Sequence, residues 1–452
     1  MLQALRDALR LPDLRRRIFN TLLILVIFRI AAHVPVPGID RVALQQLVGG
    51  VGGATQFINF LDLLSGGALA NYSVLANGVY PYINATIIIQ LLIPVIPALQ
   101  RIQQEEGEAG QRKINQWAYY LAVPMAALQA WGQAQLFNSA AAQPILPRFG
   151  FSSPAYILPT LSVLVSMTAG TMFAIWLGEL ISEQGVGNGL SLIIFGGIVA
   201  RTPANIQRIY IEAGGEVGST LRSVLAVVLF LLITAATMFV IVYFQEGQRR
   251  IQVQYGKRVR GRRMYGGGST YIPLRVNMAG MIPLIFASSI LTLPALLAQF
   301  FVQSENVRVA EIATSMMNFF TPGGATEWYA IMIYAVIYFA AVVGFTFFYT
   351  FVLIEQQDLA GVLQRQGGFI PGIRPGKKTA DYINGVYRRI TLVGAVFLGG
   401  VAVLPYFTQL ILETRVLIVQ STGLLIVVGV VVDTMRQLEA QLLMRHYEGF
   451  IK

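Results

Sequence analysis

Asn188-Gly189-Leu190-Ser191-Leu192-Ile193-Ile194-Phe195-Gly196-Gly197-Ile198-Val199-Ala200-Arg201 is the stretch on which the fold turns. It is apolar, but it is only 14 residues long and glycine-rich. A helix needs about 20 apolar residues to cross a ~30 Å hydrocarbon core. Hydropathy therefore leaves the segment open between a membrane span and a buried half-helix. On either side the reading is firmer. Apolar runs long enough to cross occur near 18–37, 74–96, 116–137, 155–178, 223–244, 278–298, 329–353, 390–409 and 416–434. Counting 188–201 as the fifth span gives ten.

The charges decide the count. With the N-terminus inside, the internal segments are 1–17, 97–115, 179–187, 245–277, 354–389 and 435–452, and they hold 25 of the 33 Lys and Arg residues. The external loops hold seven: Arg41, Arg148, Arg201, Arg208, Arg222, Arg308 and Arg415. Lys and Arg accumulate on the cytoplasmic side of membrane proteins. Without a fifth span, the two most basic loops would face away from the basic N-terminus. Ten spans with both ends cytoplasmic satisfy the rule. The first run follows Arg15-Arg16-Arg17, as a signal peptide would, but it ends in Val34-Pro35-Val36-Pro37-Gly38 and not in a small-residue cleavage site. It reads as a retained span.

Composition agrees. The 452 residues are 55% hydrophobic and 12% charged, against about 25% charged for a soluble domain. The formal charge of +11 is mostly orientation charge. There are no cysteines, and His33 and His446 stand far apart, so thiolate chemistry and a His-rich metal site are excluded. No cofactor is expected. Gly376-Lys377-Lys378-Thr379 resembles the end of a phosphate-binding loop, but Pro371 stands where that pattern needs Gly. No His-Glu-x-x-His occurs, and no mid-span pair of aspartates. An enzyme is not expected. An ion-coupled solute transporter is the alternative. It needs ionisable groups at membrane depth, whereas Glu179, Glu355 and Asp433 sit at span ends. Only Arg29 lies deep, roughly 16 Å in at 1.5 Å per residue, and it reads as a structural tie between helices.

Three segments are neither spans nor simple turns. In 245–277, Ile251, Val253 and Tyr255 alternate with polar residues before Gly256-Lys257, which suggests a hairpin projecting into water. The 354–389 loop carries Gly372-Ile373-Arg374-Pro375-Gly376-Lys377-Lys378. Both are basic and on one face, which suits docking a large anionic partner. Segment 57–75 is too polar and short to cross, yet too apolar for an ordinary loop. Alone it reads as a surface half-helix; the functional reading is a re-entrant piece buried in protein, where irregular backbone is tolerated.

Six strings occur in order: Pro35-Val36-Pro37-Gly38-Ile39-Asp40, Ser65-Gly66-Gly67-Ala68-Leu69, Pro81-Tyr82-Ile83-Asn84-Ala85-Thr86-Ile87-Ile88-Ile89-Gln90, Gly185-Val186-Gly187-Asn188-Gly189, Val276-Asn277-Met278-Ala279-Gly280 and Gly372-Ile373-Arg374-Pro375-Gly376. Together they resemble the SecY/Sec61 alpha family over nearly the whole chain. The resemblance implies an all-α integral membrane protein, with ten transmembrane helices in two inverted, pseudo-symmetric halves of five around a central pore. The halves would be 1–204 and 205–452.

By that resemblance the pore ring is Ile83, Ile87, Leu190, Ile194, Ile285 and Ile426. Leu190 keeps the ring apolar without β-branching. The plug is the 57–75 segment, centred on Asp62, Leu63, Leu64, Ser65, Gly66, Gly67, Ala68, Leu69, Ala70, Asn71, Tyr72 and Ser73. A lateral gate for signal sequences and membrane segments runs past Gln90, Ser288 and Ser289. Arg258, Arg260, Arg262, Arg263, Arg374, Lys377 and Lys378 dock partners. The partners implied are SecE, SecG, the SecA motor ATPase, the ribosome with its RNA, signal peptides, nascent polypeptides and membrane lipids. The implied location is the bacterial plasma membrane, with the thylakoid membrane as the alternative.

Overall fold

The computed structural model describes residues 10–48, 62, 65–93, 96–105, 107–141, 143–151, 153–214, 220–255, 258–260, 263–265, 268–280, 282–298, 300–302, 306–320, 327–357, 359–412 and 416–450. In chain order these form α1 (Pro12–Ala31), α2 (Arg41–Val48), α3 (Tyr80–Leu92), α4 (Pro97–Glu105), α5 (Gly107–Ala140), α6 (Pro154–Gln184), α7 (Gly189–Gly214) and α8 (Thr220–Glu246). Strands β1 (Gln248–Tyr255), β2 (Arg258–Arg260), β3 (Arg263–Tyr265) and β4 (Ser269–Arg275) follow. The remainder is α9 (Ile282–Ala298), α10 (Val307–Phe320), α11 (Trp328–Gln357), α12 (Leu359–Gln366), β5 (Gly368–Phe369), α13 (Lys377–Leu412) and α14 (Val416–Phe450).

A helix lies in each of the ten expected stretches, with instructive differences. The doubtful segment opens a longer helix: α7 runs for 26 residues with Pro203 inside it, although its apolar part, Gly189–Ala204, is short. Its apolar character breaks at Arg201, but the helix runs on past Pro203 to Gly214. Among the described residues of the stretch 74–96 only α3 is helical, for 13 residues; it rises about 20 Å, and residues 74–79 before it are turns. Among the described residues, length and composition alone mark segments of α6, α8, α11 and α13 as able to cross a membrane. Large apolar side chains are nevertheless exposed on many helices, such as Phe19, Leu22 and Ile30 on α1 and Leu221, Leu232 and Phe239 on α8. Such surface calls for a non-aqueous solvent.

The chain forms two compact units. One comprises Met1–Thr234, Ser289–Tyr334 and Pro405–Lys452; the other comprises Ala235–Ser288 and Ala335–Leu404. In the first, α3 and α6 pack on α5, α7 on α6, and α14 on α7. Ala118, Ala122, Ala126, Ala130 and Ala134 line one edge of α5, all at most 2% exposed. Alanine at every fourth position lets neighbouring backbones approach closely. In the connection after α9, which the sequence reading leaves as plain loop, α10 buries Ala313 and Met317.

The second unit contains the basic loops. β1 and β4 are antiparallel, in register from Gln248↔Arg275 to Gln254↔Ser269. Ile251 and Val253 point inward, as the alternation predicts. The hairpin does not end at Gly256-Lys257, which lies outside the described residues. Between β1 and β4, β2 and β3 pair as a separate two-stranded sheet, with Val259 opposite Met264. The 354–389 segment is more than a loop: it contains α12, β5 and the start of α13. β5 adds to β1 through Gln254↔Phe369 and Tyr255↔Gly368, giving the order β4-β1-β5. Ile251, Val253, Leu274, Leu363, Ile370, Ile383 and Tyr387 close a core beneath the sheet. The two basic loops are therefore one structure.

Candidate functional site

Most of the described part of the 57–75 segment is buried, with Ala70 and Val74 half-buried and Asn71 exposed, and it is built of turns, so the surface half-helix reading is corrected. Residues 65–79 wind through turns, and Asp62, Ala68, Leu69, Tyr72 and Ser73 have no exposed surface. Leu63, Leu64 and residues 57–61 lie outside the described residues. Asp62 organises the rest. Its Oδ1 accepts from the Ala70 N–H at 2.7 Å, and its carbonyl accepts from the Gly67 N–H at 2.8 Å and the Ser65 hydroxyl at 3.0 Å. Its Oδ2 pairs with the guanidinium of Arg201. A buried carboxylate is tolerated only when paired and hydrogen-bonded, and this one is both.

Two arginines thus converge on the segment. Arg29 Nη1 donates to the Gly66 carbonyl at 3.0 Å, so it ties α1 to this segment and not, as expected, to another helix. Arg201, which charge counting places in an external loop, stands in α7 and holds Asp62. The signal was available as a lone acid beside two glycines in an apolar stretch, but its partner could not be read from spacing. Gly66 and Gly67 have φ of +71° and +86°, a conformation cheap only for glycine. Gly197 of α7 presses on the first of them. A Cβ added at Gly197 would lie 2.0 Å from the Gly66 Cα.

The far end of the segment is sewn to the first proline string. The Val36 N–H donates to the Tyr72 carbonyl at 3.0 Å and the Val74 N–H to the Val34 carbonyl at 2.9 Å, around an antiparallel bridge between Pro35 and Ser73. The Tyr72 ring meets Phe137 edge-on at 4.8 Å. Asn77 Nδ2 donates to the Ala126 carbonyl at 3.0 Å.

Of the expected ring, Ile87, Ile194 and Ile426 are at most 3% exposed, and Ile83, Leu190 and Ile285 are half-buried. Five belong to the first unit and Ile285 to the second. Leu190 packs with the Tyr82, Ala85 and Ile89 cluster, against Gly178 of α6. Of the expected gate residues, Ser288 donates to the Ile285 carbonyl at 2.9 Å. Ser289 is buried, and its hydroxyl has no hydrogen-bond partner among the described residues. The Gln90 amide oxygen is buried without a hydrogen-bond partner among the described residues.

On the basic face, Arg374, Lys377 and Lys378 are exposed. The Thr379 hydroxyl donates to the Arg374 carbonyl at 3.0 Å, fixing the turn from which Arg374 projects. Arg258, Arg260 and Arg263 stand on β2 and β3; Arg262 lies outside the described residues. Arg250 and Arg275 are also exposed on the sheet.

The SecY family profile matches residues 73–435. The chain belongs to the SecY family. The protein translocase subunit SecY of Mycobacterium tuberculosis strain H37Rv is 42% identical over 462 residues, covering 100% of both chains. That of Thermotoga maritima is 38% identical and covers 100% of this chain and 98% of its own. That of Synechococcus elongatus is 42% identical, with 97% and 94% covered. Among solved structures, a protein-conducting channel superposes with a TM-score of 0.60 at 18% identity, over 94% of this chain and 92% of that one. The yeast Ssh1 complex bound to the 80S ribosome gives 0.61 at 13% identity, over 92% and 88%. At those identities the structures carry the fold, and the full-length relatives carry the family. A SecY chain is a membrane-embedded protein translocase subunit, part of a protein-conducting channel, and the solute-transporter alternative falls. SecY is a channel family and not an enzyme family.

Proposed function

We propose that this SecY chain is a passive, gated polypeptide channel whose buried segment around Asp62 is the plug. The observation that carries this is the way the segment is held: an irregular, glycine-bearing stretch is seated by the Asp62–Arg201 pair and the Arg29–Gly66 bond. Polar ties at depth hold one conformation firmly, yet they can be exchanged when a chain enters. Ile83, Ile87, Leu190, Ile194, Ile285 and Ile426 form the ring. Apolar side chains offer ions no ligands and can close the pore by dewetting, while moulding around a peptide of any sequence.

The halves 1–204 and 205–452 flank the pore, with ten spans and both termini cytoplasmic. Gln90, Ser288 and Ser289 line the lateral exit. Energy comes from outside, through SecA or the ribosome at the basic face, with SecE and SecG as companion subunits. Arg374 leads that face, supported by its exposure on a fixed turn. A ribosome as partner is supported by structural neighbours solved on ribosomes, among them canine Sec61 at a TM-score of 0.59. The plasma membrane of a bacterium is the setting, with the thylakoid as alternative; the named relatives include cyanobacterial chains.

The test is site-directed crosslinking of a stalled preprotein to a photoreactive residue at position 83. A covalent adduct that depends on the signal sequence is the expected result. No adduct at 83, with efficient adducts on lipid-facing positions of α1, would overturn the ring assignment.

A further inference from the structure

Two adjacent residues of α6 reach two helices that carry the expected ring, α3 and α7. Gly178 receives α7: a Cβ added there would lie 2.6 Å from the Leu190 Cδ2. Glu179 reaches the other way. Its Oε1 accepts from the Tyr119 hydroxyl of α5. The Tyr119 ring stacks on Tyr82 of α3, with centroids 5.0 Å apart and planes 19° apart. Tyr82 is the residue before Ile83.

The stack and the bond do different work. Two near-parallel rings attract, but they are free to slide over one another. A hydrogen bond to a carboxylate is directional and stronger than a neutral one, so Glu179 fixes where the Tyr119 ring stands. Successive residues of a helix lie about 100° apart around its axis. A fixed Tyr82 therefore fixes the direction of Ile83, and of Ile87 one turn on along the same face. Tyr82 also belongs to the cluster of Ala85, Ile89, Ala118, Ala122 and Ile175, which resists tilting of α3; the bond adds resistance to rotation. Glu179 is exposed, so water can replace Tyr119 at modest cost and the tie can be exchanged.

We propose that Glu179, acting through Tyr119, is a positioning residue for the ring. It holds α3 in the rotation that presents Ile83 and Ile87 to the pore, and so sets how strong a signal sequence must be to open the channel. The inference rests on the ring reading of those isoleucines and adds what orients them.

Export by the full translocase complex in vesicles tests it, read as the ratio of a preprotein with a defective signal sequence to the same preprotein with an intact one. Tyr119→Phe keeps the stack and removes the donor. It should raise the ratio roughly fivefold, the population shift of one hydrogen bond beside water. Glu179→Leu should do the same, whereas Glu179→Gln, whose amide oxygen still accepts, should restore most of the discrimination. Tyr119→Phe and Glu179→Leu together should match either alone, because all three remove the same bond. Ile83→Asn is the control for the ring itself. If it relaxes the ratio while Tyr119→Phe leaves the ratio unchanged, the positioning role is overturned and the ring stands. If Ile83→Asn changes neither the ratio nor ion conductance, the ring reading fails and the positioning role falls with it. A lower unfolding temperature in Tyr119→Phe with an unchanged ratio would reduce the pair to a structural tie and overturn the proposal. So would an effect of Glu179→Gln as large as that of Glu179→Leu.

Discussion

The turns around Asp62 and the sheet built from the two basic loops use the same residue types in opposite ways. In the first, charge points inward and is consumed: Asp62 takes Arg201, and Arg29 takes the Gly66 carbonyl. In the second, Ile251 and Val253 point inward while Arg250, Arg275 and Arg374 stay exposed. Glycine divides likewise. Gly67 has positive φ and side chains crowding it, whereas Gly372 and Gly376 have positive φ and open space, with no atom within 4 Å of where a Cβ would stand. The contrast sets a region that uses its charges in contacts within the chain against one whose basic side chains face outward, as the proposed docking face requires. Substitutions should therefore cost stability and seal in the first, and partner-driven transport in the second.

The hardest test of that division is Gly197→Val. The new side chain meets Gly66 backbone at 2.0 Å, and backbone cannot step aside as a flexible side chain can. The cost should exceed the about 1–3 kcal/mol of ordinary overpacking, read as a lower unfolding temperature in detergent and raised ion conductance in planar bilayers. Gly372→Ala is the control, limited to the about 1–2 kcal/mol of a left-handed backbone. Equal losses would break the comparison.

Next comes Asp62→Asn. Removing one partner of a buried pair costs about 3–5 kcal/mol, reduced here because the Arg201 side chain is still 26% exposed. Channel leak should rise, and the double substitution Asp62→Leu with Arg201→Leu should recover much of the stability. No recovery would mean that the pair does not act as a unit.

Ile426→Asn should have a smaller effect. Ile426 is 1% exposed, so an amide there costs about 1–3 kcal/mol if unpaired, and conductance with relaxed signal-sequence selectivity is the readout. Unchanged conductance and selectivity would remove it from the ring. The smallest structural effect belongs to Arg374→Glu. Stability should stay within about 0.5 kcal/mol while SecA-driven export falls. Normal export would remove Arg374 from the docking face.

Much of this was legible in the residues. Period-two alternation placed Ile251 and Val253 on the buried side of a hairpin, and long apolar runs located the helices. The misses share a cause. Gly368-Phe369 is too short to show any period, so its pairing with β1 was invisible. The helix α7 continues past Arg201 without an apolar signal to announce it, and Arg201 was assigned to a loop for that reason.

The sequence by itself determined that the solvent is a membrane and which family the chain joins. Those properties are sums over neighbouring residues, and a sum survives ignorance of contacts. Only the tertiary structure decided that the segment around Asp62 is buried, that Arg29 and Arg201 hold it, and that two separate basic loops share one sheet. Each of these depends on groups far apart in the chain meeting within hydrogen-bonding distance, and no local window contains both partners.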